Sequence, residues 1–407
     1  MDPMQEMVSM VFLPDDVIGH IFCQTIDSKQ FRTMSNFSQT CRKMNEICCE
    51  IQNTLKNSNI EYEKWLVKNR KRLSQKSKNE NGDSEINLAS ENGDLKIIKI
   101  FHENRKDGFT TEAMDLASAN GHLDIVKFLH NNRTEGCTKR AMDSASLSGY
   151  LDIVKFLHEN RTEGCTVYAM IFASIYGCFE VVKFLHENRK EGCTTSAMNL
   201  ASKNGHLDIV KFLHENRMEG CTTYAMDWAS ANGHLDVVKF LHENRNEGCT
   251  TSAMDSASLN GHLKVVKFLH ENRTEGCTTN AMDWASSGGH LDVVKFLHDN
   301  RREGCSTRAM DLASSHGHLE VVKFLHENRK EGCTREAMDL ASSCGHFEIV
   351  KFLHENRKGF TTDAINRAFA NGHLEIVKLL YESLKGSAKN VYFGITKNVM
   401  DWALNNS

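Results

Sequence analysis

From Phe109 onwards the chain repeats every 28 residues. Cys137, Cys165, Cys193, Cys221, Cys249, Cys277, Cys305 and Cys333 stand one period apart. Phe109 precedes them by one period and Phe360 follows one residue early. A representative unit, Cys221 to Gly248, reads CTTYAMDWASANGHLDVVKFLHENRNEG. A period of this size marks a solenoid, in which no unit buries its own apolar face and each needs its neighbours. Such a chain predicts an extended binding surface before any catalytic centre.

Within the Cys221 unit the pattern predicts a first helix over Thr222 to Asn232. The Thr222 hydroxyl can cap an orphan N–H. Ala225, Trp228 and Ala229, with Met226 beside them, form an apolar side at helical spacing, which places Trp228 and its counterpart Trp284 in the core. Gly233 supplies the left-handed residue that ends the helix. A second helix starts near His234–Leu235, with Asp236 favourable in its first turn. Leu235, Val237, Val238, Phe240 and Leu241 make its buried stripe, while Lys239, Glu243 and Arg245 stay in water. Only two prolines occur, Pro3 and Pro14, both ahead of the repeats. The fold class is therefore all-α.

At this point the residues carry a resemblance. AMDWASANGHLDVVKFL resembles the ankyrin repeat, with Gly-His-Leu-Asp-Val-Val-Lys-Phe-Leu returning in nearly every unit. The resemblance spans roughly 84–407, about ten units plus a C-terminal half unit in which Thr396 to Ala403 repeats Thr-x-x-x-Met-Asp-x-Ala. It implies an ankyrin-type helical-pair solenoid that binds partner proteins. Two departures stand out. The family's Pro and His are Ala225 and Asp227 here, so Asp takes the place of the family's His in any inter-unit ladder. The period is five residues short, which points to a trimmed connecting loop and makes the exposed side of the first helices the better binding face. Residues 85–108 read as a degraded first unit, with Asp94 in the His position.

The 14 cysteines do not suggest disulfides. Stacked helices lie roughly 8–10 Å apart, whereas a disulfide needs Cα atoms within about 7 Å. Phe109 and Phe360 in the same slot show that it wants apolar volume, so the cysteines read as reduced, buried hydrophobes. Two His ladders, His206, His234, His262, His290 and His318, and His214, His242, His270 and His298, spread along an axis. A metal site needs ligands that converge, so these side chains are expected to bond loop backbone between units. The Lys211, Glu215 and Arg217 ladders read as solvated charge. With no HExxH, P-loop, G-x-S-x-G or CxxC motif, neither catalysis nor a metal or other cofactor is expected. Lys plus Arg is 49 and Asp plus Glu 53, a net charge of −4, which argues against general nucleic-acid or membrane binding. No stretch approaches a membrane span, and the N-terminus lacks a basic signal region. The expected location is intracellular, in the cytoplasm with the nucleus as the alternative, since Lys68-Asn69-Arg70-Lys71-Arg72 reads first as a solvated helix face and second as a nuclear signal.

In a near-identical array the departures carry information. Numbering each unit from its Cys or Phe as zero, 100° steps predict an exposed stripe at offsets 3, 6 and 10 of the first helix. In the Cys165 unit these are Tyr168, Ile171 and Ile175, with Val167 and Tyr176 adjoining; Leu147 before and Tyr224 after extend the patch. Exposed apolar residues with tyrosine suit a partner site. The competing reading is a repacked, degenerate unit, since Cys178 and Phe179 also replace the usual His and Leu.

Residues 1–82 lack the repeat. Leu13-Pro14-Asp15-Asp16-Val17-Ile18 opens a helical pattern with Ile21 and Phe22 on its apolar face. Phe31, Met34 and Phe37 follow, then Cys41-Arg42-Lys43-Met44. Residues 11–50 resemble an F-box, with Met44 in place of tryptophan and Ile26 in place of leucine. The alternative is a plain helical cap. The resemblance implies docking on the adaptor subunit of a cullin–RING ubiquitin ligase through Leu13, Pro14, Ile18, Ile21 and Phe22. The chain thus divides into an F-box-like module (1–50), a helical linker ending in a polar hinge (51–83) and the array (84–407). The expected function is a target receptor for such a ligase, the runner-up an ankyrin scaffold or masking protein with no ubiquitin link.

Overall fold

The computed structural model describes residues 82–104, 108–356 and 361–384, together with positions 396, 399 and 402. Leu13, Pro14, Ile18, Ile21, Phe22 and the linker to residue 81 lie outside the described residues. Among the described residues there are twenty-two helices and no strand. They form eleven successive pairs. The first pair is Gly82–Asn92 and Leu95–Asn104, so a helix already begins inside the stretch read as a hinge. None of the described helices is long and apolar enough to cross a membrane.

The Cys221 unit shows how the local code works. Its first helix is Thr223–Ala231, with Thr222 as N-cap accepting from the Tyr224 N–H. Gly233 takes φ +78°, and the chain closes with His234 N–H to Ala229 O at 2.9 Å and Gly233 N–H to Ser230 O at 3.1 Å. These bonds satisfy helix-end carbonyls that would otherwise be orphans. The second helix is Leu235–Asn244. The turn Arg245 to Thr250 joins the next unit without a hairpin of strands.

Each unit buries the same small set: Ala225, Met226 and Ala229 from the first helix, Val237, Val238 and Leu241 from the second. The two alanines, one turn apart, let successive first helices approach closely. The larger side chains each contribute roughly 1.5–3 kcal/mol of burial, but only when a neighbouring unit covers them. Leu235 and Phe240 are half-buried, so the second-helix stripe is narrower than its sequence suggests.

A polar clamp joins most units to the next. Asp227 accepts the Thr250 N–H at 2.8 Å and the Thr250 hydroxyl at 2.9 Å. The same Thr250 oxygen caps its own helix by accepting from the Ser252 N–H. Asp115–Thr138, Asp143–Thr166, Asp255–Thr278, Asp283–Ser306 and Asp311–Thr334 repeat this geometry. Asp does replace the family His as the inter-unit bond former. The clamp reaches the C-terminal half unit, where Thr396 N–H donates to Asn366 Oδ1 at 3.0 Å, Val399 is buried and Trp402 packs edgewise on Phe369.

The histidine of the Gly-His pair follows its predicted role. The His318 Nε2–H donates to Ser287 O at 3.0 Å, and His206 and His346 do the same to Ile175 and Ser315. Each carbonyl lies at the end of the preceding unit's first helix. Burial holds His318 and His346 below the ordinary imidazole range. The second ladder differs from expectation. His214, His242, His270 and His298 set their ring edges against Phe240, Phe268, Phe296 and Phe324 of the next unit, at 5.4–5.5 Å. They sit on helices whose backbone is already satisfied, so no loop carbonyl is there to bond.

The arginine ladder is also less solvated than read. Arg245 pairs with Glu247 at about a fifth exposure and packs against the turn at Gly220 and Cys221, where the preceding unit passes into its own. The equivalent Arg217–Glu219 and Arg273–Glu275 pairs behave alike. They fill out the junction rather than decorate a wet face. Cys137, Cys165, Cys221, Cys249, Cys277 and Cys305 are buried, free thiols. Burial first, and the nearby Glu second, pushes Cys137, Cys165 and Cys249 up to about 12. The thiolate is thus suppressed, which makes these sulfurs packing groups, not nucleophiles. In the same slot the Phe109 ring lies under the Arg133 guanidinium, 4.3 Å from it. Among the described residues no group of three or more His, Cys, Asp or Glu is placed to hold a metal ion.

Candidate partner-binding face

The first helices expose offsets 3, 7, 10 and 11 rather than 3, 6 and 10. Ile171, at offset 6, is only 4% exposed and belongs to the core. Its counterparts are the clamp aspartates, and they are buried too. The polarity of offset 6 suggested solvent, but its cause is a bond to the next unit. Trp228 and Trp284, at offset 7, accordingly lie outside the core. Both are half-buried and belong to the exposed stripe. Tyr224 stacks on Trp228 with ring centroids 5.0 Å apart and planes 14° apart, one helical turn separating them. Tyr168 stacks on Phe172 at 5.5 Å in the same way. The Lys203 ammonium lies 5.5 Å from the Trp228 ring centre, a cation–π contact between units.

The remaining predicted residues do share one face. Tyr168, Tyr176 and Tyr224 are 47%, 61% and 56% exposed, and Leu147 and Ile175 are half-buried beside them. The sequence reading missed Phe172, Leu200 and Trp228, which are all at offset 7. For Phe172 and Trp228 the i, i+4 spacing from Tyr168 and Tyr224 was the available signal.

A cleft of about 510 Å³ opens between the Cys165 and Cys193 units, lined by Ile175, Tyr176, Leu200, Lys203, Asn204 and His206. Its position has a sequence cause. Ile171 replaces the clamp aspartate, so it offers no acceptor to Thr194. The Thr194 oxygen still caps its own helix by accepting from the Ser196 N–H. Helices Val167–Ile175 and Thr195–Lys203 pack less extensively than any other successive first helices from Thr111 onwards. Cys193, buried in most equivalents, is half-exposed here. The junction is held elsewhere. Asn204 Nδ2–H and His206 Nε2–H both donate to Ile175 O, at 2.9 and 3.0 Å. Behind them Phe179 packs edgewise on Phe212 at 5.6 Å. Cys178, in the His slot, sits with its sulfur 3.9 Å from Leu147 O.

Asn199 shows that a neutral amide can serve as the clamp: it accepts the Thr222 N–H and donates to its hydroxyl, both at 2.9 Å. Ile171→Asn should therefore recreate the missing clamp. Hydrogen exchange at the Thr194 amide is expected to slow about fivefold or more, the effect of one added bond of ~1 kcal/mol. Unchanged exchange there would count against the clamp as the cause of the loose junction.

The fold defines a helical-pair solenoid that presents a variable first-helix face. A family model described as ankyrin repeats, in three copies, matches residues 86–169, 141–227, 169–255, 226–311, 253–335 and 310–393. These windows overlap and together span 86–393, about three quarters of the chain. The chain belongs to the ankyrin repeat family. No curated protein matches it. Ankyrin repeats bind partner proteins, and such arrays are typically interaction scaffolds without catalytic activity.

Proposed function

We propose that this chain is a two-part adaptor whose array holds a target protein while its N-terminal segment attaches to a cullin–RING ubiquitin ligase. The observation that carries the first part is the set of exposed tyrosines on the first-helix face, Tyr168, Tyr176 and Tyr224, of which Tyr176 lines the cleft beside Ile175. Aromatic side chains at the rim of a concavity on a repeat face are the usual anchors of protein recognition. The second part rests on the sequence of residues 11–50, through Leu13, Pro14, Ile18, Ile21 and Phe22. The chain would act by proximity, raising the effective concentration of target at the ligase. A cytoplasmic location goes with that role.

The test is affinity capture with the intact chain and with a variant carrying Leu13→Ala, Pro14→Ala and Ile21→Ala, read by mass spectrometry. The expected result is that only the intact chain recovers ligase adaptor and cullin, while both recover the target. Absence of adaptor and cullin from the intact chain, with other partners present, leaves an ankyrin scaffold with no ubiquitin link.

A further inference from the structure

The residue ahead of each second helix is His in most units, but not in all. Along the chain it is Asp94, His122, Tyr150 and Cys178, and then His206, His234, His262, His290, His318, His346 and His373 without a break. Imidazoles therefore form a continuous column only in the later units. Their rings lie against glycines of the unit before, Gly289 for His318 and Gly317 for His346. A Cβ at Gly317 would stand 2.7 Å from His346 Cε1, so that ring is held tightly against backbone. One further imidazole joins the column at a single place. The residue two positions before the column is Asn120, Asn204, Asn232, Asn260 or Asn371 in many units, but His316 in the Cys305 unit. Its Nδ1–H donates to Leu312 O at 2.9 Å, and its ring stacks on His318 with centroids 6.2 Å and planes 29° apart. Ser287 meets both rings: its carbonyl accepts from His318 Nε2–H at 3.0 Å, and its hydroxyl lies 3.4 Å from His316 Nδ1. His346 Nε2–H donates to the carbonyl of Ser315, next to His316, at 3.0 Å.

The titratable groups that face His318 are His290, His316 and His346, and those that face His346 are His316 and His373. The carboxylates two residues along the second helices turn elsewhere. Asp292 accepts the Val293 N–H, Glu320 pairs with Lys323, and Glu348 is exposed. Two charged rings at the His316–His318 separation would stand inside the ~8 Å over which salt screens charge. We infer that this place is an acid-operated joint: as pH falls below about 6, like charge on His316, His318 and His346 opens the array between the Cys305 and Cys333 units, while the earlier units stay packed. The sign follows from the surroundings. Burial, with His316 next, holds His318 below the ordinary imidazole range, and burial with His316 and His373 does the same for His346. The unfolded chain therefore takes protons more readily. The stability that these neutral rings contribute is complete above the ordinary imidazole pKa of ~6.5 and is lost as pH falls through their lower folded values. Carboxylates nearby do not imitate this. Burial raises Asp339, so mild acid favours its folded state. Against the opposing pull of burial, Arg301 and Arg329 hold Glu303 and Glu331 low, and their contribution lasts until pH enters the ordinary carboxylate range.

The test is hydrogen exchange of the full chain at about pH 7.5 and about pH 5.5, read as protection factors so that the intrinsic pH dependence drops out. Protection of Arg308–Ser315, Leu319–Asn328 and Glu336–Cys344 is expected to fall about tenfold or more on acidification. Protection of Lys139–Leu147 and Val167–Ile175, whose units carry Tyr150 and Cys178 in the column position, should change less than about twofold. His316→Asn removes one imidazole and should keep the bond to Leu312 O, as Asn232 Nδ2–H makes the equivalent bond to Trp228 O at 2.9 Å. Each chain is compared with itself across the two pH values, and the variant should lose about threefold less protection than the parent. No acid loss between Arg308 and Cys344, or an equal loss in every unit, overturns the joint. A loss confined to that stretch but unchanged by His316→Asn overturns like charge among these rings as its cause.

Discussion

Asp255→Ala is expected to lower the stability of the array by about 1–3 kcal/mol and to break its unfolding into two steps. The carboxylate accepts the Thr278 N–H at 2.8 Å and its hydroxyl at 2.7 Å. Alanine leaves both donors at a packed junction without that acceptor, and the cost is that of unsatisfied polar groups. Because stability in a solenoid is a sum over units and their interfaces, the loss falls on one junction, not on the whole array. Trp228 and Trp284 lie on opposite sides of that junction. Their fluorescence, separated by single-tryptophan variants, should follow one common urea transition in the parent and two in Asp255→Ala. Asp255→Asn should stay close to the parent, because Asn199 already makes the equivalent bonds and because burial raises the Asp255 pKa, a penalty on its charged form that the amide escapes. Equal loss in the Asn and Ala variants would show that the clamp is not the source of the stability.

Gly289→Ala is expected to be comparably severe by a different route. Gly289 has φ +76°, where an L-residue costs roughly 1–2 kcal/mol. A Cβ there would lie 2.5 Å from Nδ1 and 2.6 Å from Cε1 of His318. The ring cannot retreat without lengthening its 3.0 Å bond to Ser287 O, which adds about 0.5–1.5 kcal/mol. Denaturant midpoints for Gly289→Ala, His318→Ala and the double variant separate the terms. The double variant should recover part of the Gly289→Ala loss, since the steric conflict goes with the ring. Strict additivity would mean that backbone strain acts alone.

The repeat architecture was legible because period, caps and glycines are local features. Thr222, Gly233 and Asp236 announce their roles within a few residues of chain, and the helices begin and end beside them. The face was legible only in part. Tyr168, Tyr176 and Tyr224 lie where the stripe predicted, whereas Ile171 and Trp228 exchanged places between core and surface. A helix wheel gives the angle between residues but not which side meets the neighbour. That side is fixed here by a bond running 23 residues ahead, from Asp227 to Thr250, which no local pattern reveals. The second histidine ladder was misread for a related reason. A histidine on a helix and one in a loop look alike in sequence, and only the first has its backbone neighbours already satisfied.

The near-identity of the second helices has a consequence for addressing. Leu151–Asn160 and Leu207–Asn216 carry the same ten residues, and Leu235–Asn244 differs from them only by a valine for an isoleucine. A ligand lying along that side meets almost the same atoms after each step of one unit, so its energy hardly distinguishes one register from the next. Such a track permits sliding and multiple occupancy but cannot name a position. The first-helix side is indexed. Among the described units from Phe109 onwards, Ile171 is the one apolar residue at the clamp position, so a ligand seated at the cleft beside it has a distinct coordinate along the array.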